Sequence, residues 1–216
     1  MAARSYGQHC AVAKSLDVVG DRWTLLVVRE LLDGARRYGD LLSALAPIAT
    51  DVLAGRLRDL EAAGLVAKRA LPRPASGATY ELTDEGRALE DVIHAYARWG
   101  RRLIERRSPG DVVRPEWLAR AVRAHLRADR HGPPVSLRLA TPDGSAAVLI
   151  TADRIETLAD DEDADVTLSG PAEIVAAALD PGQVADLLAA GRLRIDGDPE
   201  VVRRLGELFA PVPVRG

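Results

Sequence analysis

The sequence predicts two folded domains of different class, a mainly α winged helix over residues 1–107 and an α+β domain over residues 115–216, joined by a linker at 108–114. Three observations predict this. Residues 36–60 read as a helix, a tight Ala-Pro break and a second, amphipathic helix. Residues 65–82 alternate as two strands around a turn rich in Pro, Gly and Ser, directly behind that second helix, where a wing would lie. Charge also divides the chain: residues 1–107 hold 17 Lys and Arg against 14 Asp and Glu, net +3, whereas the remainder holds 12 against 18, net −6.

Cys10 to Val19 carries helical periodicity and presents Val12 and Leu16 on one face. In the helix-break-helix, Leu53, Leu57 and Leu60 recur at i, i+4 and i+7 and face inward, leaving Thr50, Asp51, Ala54, Arg56 and Arg58 outward. Gly64 can end that helix. Leu65 to Ala70 and Ala78 to Leu82 form the hairpin, with Lys68 and Arg69 on the incoming strand and Arg73 at its tip. Two arginines on an exposed helix, flanked by Arg36 and Arg37 and by a basic wing, are what phosphate contact and major-groove reading require. The motif alone is also compatible with an ordinary antiparallel helix pair.

Glu85 to Ile104 reads as one long helix with Leu89, Val92, Ile93, Tyr96, Trp99 and Leu103 in a stripe. That stripe has no partner left in the winged core and is assigned to a homodimer interface with Val12 and Leu16; packing on its own or the next domain is the alternative. Glu105 to Asp111 ends the periodicity with charge, Pro and Gly. The second half opens with a helix from Pro115 to about Ala128, then strands at Val135 to Leu139, Ala146 to Thr151, Ile155 to Leu158 and Val166 to Leu168. Helices come next at Pro171 to Leu179 and Pro181 to Ala190, then a strand through Leu193 and Ile195 and a last helix from Asp198-Pro199 to near Phe209.

Two resemblances bear on these halves. Cys10-Ala11-Val12-Ala13, Gly20-Asp21-Arg22-Trp23-Thr24-Leu25-Leu26, Arg29-Glu30-Leu31-Leu32, Leu57 to Val66 and Tyr80 to Gly86 resemble the HxlR family of winged-helix transcription regulators over about residues 6 to 107. That resemblance implies a homodimeric bacterial DNA-binding regulator, often a repressor, acting on double-stranded DNA with an inverted-repeat operator. Asp51 and Gly55 depart from it, standing where basic or long polar residues are common. Asp165 to Gly170, Ala172 to Val175 and Ala190 to Asp198 resemble the sterol-carrier-protein type-two fold over about residues 115 to 210. That fold implies an apolar tunnel and hence a hydrophobic small-molecule effector, with Val148, Ile150, Val166, Leu168, Val175, Leu179 and Leu187 as candidate lining. The alternative is that these aliphatics fill the core.

Cys10, beside His9 at the start of a helix, is a candidate thiol sensor, a use the HxlR resemblance implies; a buried interface cysteine is the alternative. No catalytic residue, metal site or cofactor is assigned, because the chain lacks G-x-S-x-G, a Walker loop, G-x-G-x-x-G and H-E-x-x-H. The acidic run Asp160 to Asp165 lacks the central Gly and distal Glu of a calcium loop. A single cysteine permits no intrachain disulfide, and no apolar run is long enough for a membrane span, so a cytoplasmic location without membrane contact is expected. The functional reading is therefore a DNA-binding regulator and not an enzyme. A lipid-binding or transfer module whose winged helix mediates protein contacts is the alternative.

Overall fold

Helix α1 (Ala11–Val19) and helix α2 (Thr24–Leu31) open the computed structural model, which describes residues 5–72, 74, 76–104, 107–108, 110–159 and 161–210. The chain divides into two units, with the boundary between Ile93 and His94. In the first, α2 is followed by β1 (Arg36–Arg37), α3 (Tyr38–Ala44), α4 (Thr50–Ala62), β2 (Val66–Ala70), β3 (Ala78–Leu82) and α5 (Asp84–Arg87). Arg36 and Arg37, read as the start of a helix, instead pair antiparallel with Tyr80 and Thr79, so the wing is a three-stranded sheet of order β1-β3-β2. Two residues are too few to show a period of two, which is why this strand has no sequence signature.

The inward stripe of α4 is buried as its spacing requires: Leu53, Leu57 and Leu60 meet Val27, Val28 and Leu31 of α2, Leu41 of α3, and Val66 and Leu82 of the hairpin. Gly64, at φ +72°, ends α4 and lets Leu65 N donate back to Leu60 O at 2.9 Å. Thr83 then ties the end of α4 to α5: its Oγ1 donates to Gly64 O at 2.6 Å and accepts from Gly86 N at 3.1 Å, capping α5.

The expected helix from Glu85 to Ile104 is three pieces: α5, α6 (Glu90–Gly100) and a 3-10 turn (Arg101–Ile104). Leu89 and Ile93 accordingly pack on the first unit's own core and are not part of an exposed stripe.

The second unit holds α7 (Pro115–His125), β4 (Val135–Thr141), β5 (Gly144–Ile150), β6 (Ile155–Leu158), β7 (Val166–Ser169), α8 (Ala172–Ala177), α9 (Pro181–Ala189), β8 (Arg194–Gly197) and α10 (Pro199–Leu208). Its sheet runs β6-β5-β4-β7-β8, antiparallel except for the β4–β7 pair. Alternation on β4 sends Val135, Leu137 and Leu139 inward to meet Leu118 and Val122 of α7, Val175 of α8, and Leu205 and Leu208 of α10. This is a mixed α+β domain, a five-stranded sheet with helices.

Arg107 and Ser108, at the start of the expected linker, are hydrogen-bonded within the second unit. Arg107 donates to both carboxylate oxygens of Asp143, at 2.8 and 3.0 Å, and twice to Asp111 O. Ser108 N donates to Asp111 Oδ2 at 2.7 Å.

Candidate nucleic-acid interface and ligand cavity

The two helices of the motif are clamped at their N-terminal ends. Tyr38 Oη donates to Thr50 O at 2.6 Å, so the start of α3 holds the start of α4, while Asp40 Oδ2 accepts from Arg37 N at 3.2 Å. Because the Leu53, Leu57 and Leu60 stripe is buried, Thr50, Asp51 and Arg58 are the exposed members of the predicted reading face, and Ala54 is half-buried. Arg58 has no partner among the described residues.

Arg56, predicted to face outward beside it, is held differently. Its guanidinium lies 3.3 Å from Asp21 and 3.0 Å from Asp59, and its Nε is buried. This arginine is committed to two carboxylates and is not presented as a free reader. Arg36 is likewise drawn in, half-buried with Nε donating to Glu30 O at 3.4 Å, whereas Arg37 is exposed. On the wing, Lys68 is exposed with its ammonium over the Tyr80 ring, and Arg69 pairs with Glu81 at 2.7 Å. Arg73 lies outside the described residues.

Cys10 is exposed at the N-cap of α1, and the backbone N–H groups of Ala13 and Val12 pull its thiol pKa below the ordinary value. Of the residues assigned to a dimer interface, Val12, Leu16, Val92, Tyr96, Trp99 and Leu103 are exposed, while Leu89 and Ile93 pack inward.

In the second unit, the sequence candidates for a ligand pocket turn out to be core. Val148, Ile150, Val166, Leu168, Val175 and Leu179 are buried against one another, and Leu187 packs on the same cluster. None of them borders the cavity of about 390 Å³ that the unit contains. Its floor is Leu118 and Ala121 of α7 with Ala176 of α8, and its wall is Leu103, Ile104 and Val112. Arg107, Asp111, Arg114 and Glu173 bring charge to the same cavity. The Arg107 guanidinium, hydrogen-bonded to Asp143, is pushed further toward its charged form. Among the described residues no group of three potential metal-ligating side chains gathers, and no helix is long and apolar enough to cross a membrane.

Residues 18–108 match the HxlR-like helix-turn-helix model, and residues 118–210 match the SCP-2 sterol transfer family. The HTH-type transcriptional regulator YvaP of Bacillus subtilis is 33% identical over 92 residues, 43% of this chain and 85% of that protein. An HTH-type regulator of Synechocystis is 35% identical over 102 residues, 47% of this chain and 76% of that protein. The chain belongs to the HxlR-like helix-turn-helix family. The solved structure of the reduced transcriptional regulator YodB from Bacillus subtilis is 30% identical, covering 48% of this chain and all of that one, with a TM-score of 0.40. By its two family matches, this HxlR-like regulator carries an SCP-2-type domain after its helix-turn-helix domain.

Two features of the HxlR-like regulator's sites have little signature in the sequence. The Tyr38 hydroxyl that fixes the reading helix gave no pattern, because its partner is a main-chain carbonyl twelve residues on. The cavity wall was hidden because Val112, next to Pro, Gly and Asp, reads as linker; Trp117 beside Pro115 was the available signal for it.

Proposed function

We propose that this protein is a homodimeric, sequence-specific DNA-binding regulator, a cytoplasmic repressor whose C-terminal domain senses a hydrophobic small molecule. The observation that carries the DNA reading is the presentation of α4: its apolar stripe is buried, Tyr38 pins its start, and Thr50 and Arg58 stand exposed. Lys68 of the wing and Arg37 add exposed positive charge in the same unit, as phosphate contact requires.

Homodimerisation is supported by large apolar side chains that face solvent. Val12 and Leu16 do so on α1, and Val92, Tyr96 and Trp99 on α6. A two-fold dimer would read an inverted repeat with half-sites about one helical turn apart. The hydrophobic effector is supported by the SCP-2-type domain and by the apolar cavity in that unit.

Selection of bound duplexes from a random pool, with the purified full chain, tests this reading. An inverted repeat should emerge, bound by a dimer in sedimentation and lost steeply with salt. The same repeat placed in a promoter should silence a reporter. Equal affinity for random and selected duplexes would overturn the regulator reading.

A further inference from the structure

We infer that the effector site is the cavity at the start of the second unit, walled by Leu103 and Ile104 of the 3-10 turn and by Val112, and that its ligand is a compact uncharged apolar molecule. This rests on the effector reading above and goes beyond it in naming the place and the chemistry.

Place comes first. Val148, Val166 and Leu179 of the SCP-2-type domain are at most 1% exposed and pack in one apolar cluster. The cavity lies outside that packing. Three large apolar side chains of the second unit, Leu103, Ile104 and Val112, are 63%, 51% and 61% exposed, and all three border this one cavity. Apolar surface gathered in this way favours a ligand that covers it and removes it from water. The wall is nonetheless prepared and not merely loose chain. Arg107 grips Asp143 and Asp111 O, and Ser108 N closes on Asp111 Oδ2.

Chemistry is set by the charges. Among the described residues, the ionisable lining groups are Arg107 and Arg114 against Asp111 and Glu173, which balance. The guanidinium of Arg107 is already held by both oxygens of Asp143, and the Asp111 carboxylate accepts from Ser108 N. Neither an anion nor a cation finds a surplus of opposite charge there, and an ion entering apolar surroundings without one is penalised. The volume of about 390 Å³ sits near the small end of the roughly 300–1,000 Å³ range of ligand sites, which suits a compact ring system.

Regulation is set by chain order. Leu103, Ile104 and Val112 precede residue 118, where the SCP-2 match begins, and come after α6. A ligand that contacts them favours one arrangement of the segment between α6 and α7. It alters DNA affinity to the extent that it prefers that arrangement.

The test uses the full chain and N-phenylnaphthylamine, an uncharged two-ring fluorophore, with its sulfonated analogue anilinonaphthalene sulfonate as the charged comparison. Val112→Asp puts a charge on the wall at an exposed position that leaves folding intact, and Ala176→Phe fills the floor. Wild type should bind the neutral probe, and each substitution and the sulfonate should weaken binding by at least about tenfold. If Ala176→Phe does not fold, Val112→Asp carries the test. Equal probe binding by wild type and Val112→Asp overturns this site while leaving a hydrophobic effector elsewhere. Absence of probe binding in a wild type that still binds its selected DNA overturns both the site and the effector reading. A Val112→Asp chain that loses self-association but keeps probe affinity shows the wall to be covered by a second copy, which also overturns it.

Discussion

Arg101 Nη2 donates to Asp180 Oδ2 at 2.8 Å, with the two side chains 13% and 7% exposed. Arg101 follows α6, and Asp180 is the N-cap of α9, where its other oxygen accepts from Gly182 N at 3.2 Å. Arg101 Nη1 also reaches Ala177 O at 3.3 Å, at the end of α8. Arg101 therefore joins the turn that carries Leu103 and Ile104 of the cavity wall to both of these helices.

Removing the cation leaves a buried carboxylate without its counter-charge, so Arg101→Ala should destabilise the second unit by about 3–5 kcal/mol. Arg101→Lys keeps the charge but loses the fork and should fall between. Urea unfolding followed by calorimetry reads both. A loss below about 1 kcal/mol for Arg101→Ala would place the pair with solvent-compensated surface bridges.

The two arginines on α4 should separate in function. Arg58 is exposed and has no described partner, so Arg58→Ala should weaken operator binding by about 1–3 kcal/mol and relax preference at one base pair. Arg56→Ala loses pairs to Asp21 and Asp59 and should lower folding stability while leaving base preference nearly unchanged. Asp51→Asn removes an exposed negative charge at the first turn and should tighten DNA binding at low salt. Gel-shift titrations across a panel of single-base operator variants distinguish these outcomes.

Legibility of the fold in the sequence depends on the information that periodicity carries. Leu53, Leu57 and Leu60 announced which face of α4 is buried, because a 3.6-residue repeat reports a face directly. Alternation in Val166 and Leu168 likewise announced an inward side of β7. It carries no information on whether the opposing layer fills the space or leaves a tunnel, and here Val166 and Leu168 pack in the buried cluster and do not border the cavity. The Arg56 to Asp59 pair lies at i, i+3 and was readable, but Asp21 comes from before α2 and was not. The Leu89 to Leu103 stripe was visible, while the interruption after α5, which turns Leu89 and Ile93 inward, left no breaker residue in Ala88-Leu89.

Gly86 is set by close approach. A Cβ there would collide with the Leu65 carbonyl oxygen, which already accepts from Thr83 N at 3.1 Å, and would press the Leu82 side chain. Main-chain oxygen in a paired junction cannot move aside, so Gly86→Ala should destabilise the first unit by about 3 kcal/mol or more. Ala at Gly55, whose Cβ would meet open space in the middle of α4, should stabilise by up to about 1 kcal/mol and serves as the control. Similar stability of both variants would refute this reading of the junction.

Cys10 should react as a thiolate at lower pH than a free cysteine. The N–H groups of Ala13 and Val12 favour the anion, and the residue is fully accessible. The rate of alkylation by iodoacetamide should therefore rise through a midpoint below that of an unperturbed thiol. If the thiol governs DNA binding, diamide or a quinone should shift operator affinity in the wild type and leave Cys10→Ser unaffected. Identical responses of the two proteins would remove the sensor role.

His125 should contribute a pH dependence to the stability of the second unit. It is buried at 4% exposure, with Nδ1 donating to Ala121 O at 2.8 Å and Nε2 buried without a described partner. Burial lowers its pKa, the Ala121 hydrogen bond opposes that, Arg101 and Arg98 lower it further by repulsion, and Asp180 acts against them. The folded imidazole is thus harder to protonate than the unfolded one. Below about pH 6.5 the unfolded chain binds the extra proton first, so stability declines as pH falls from there toward the folded value and is flat above it. His125→Gln, which does not titrate, should lose less stability than wild type between about pH 7 and pH 5, a window above most carboxylate titration. Parallel stability profiles for the two proteins across that window would rule His125 out as the group responsible.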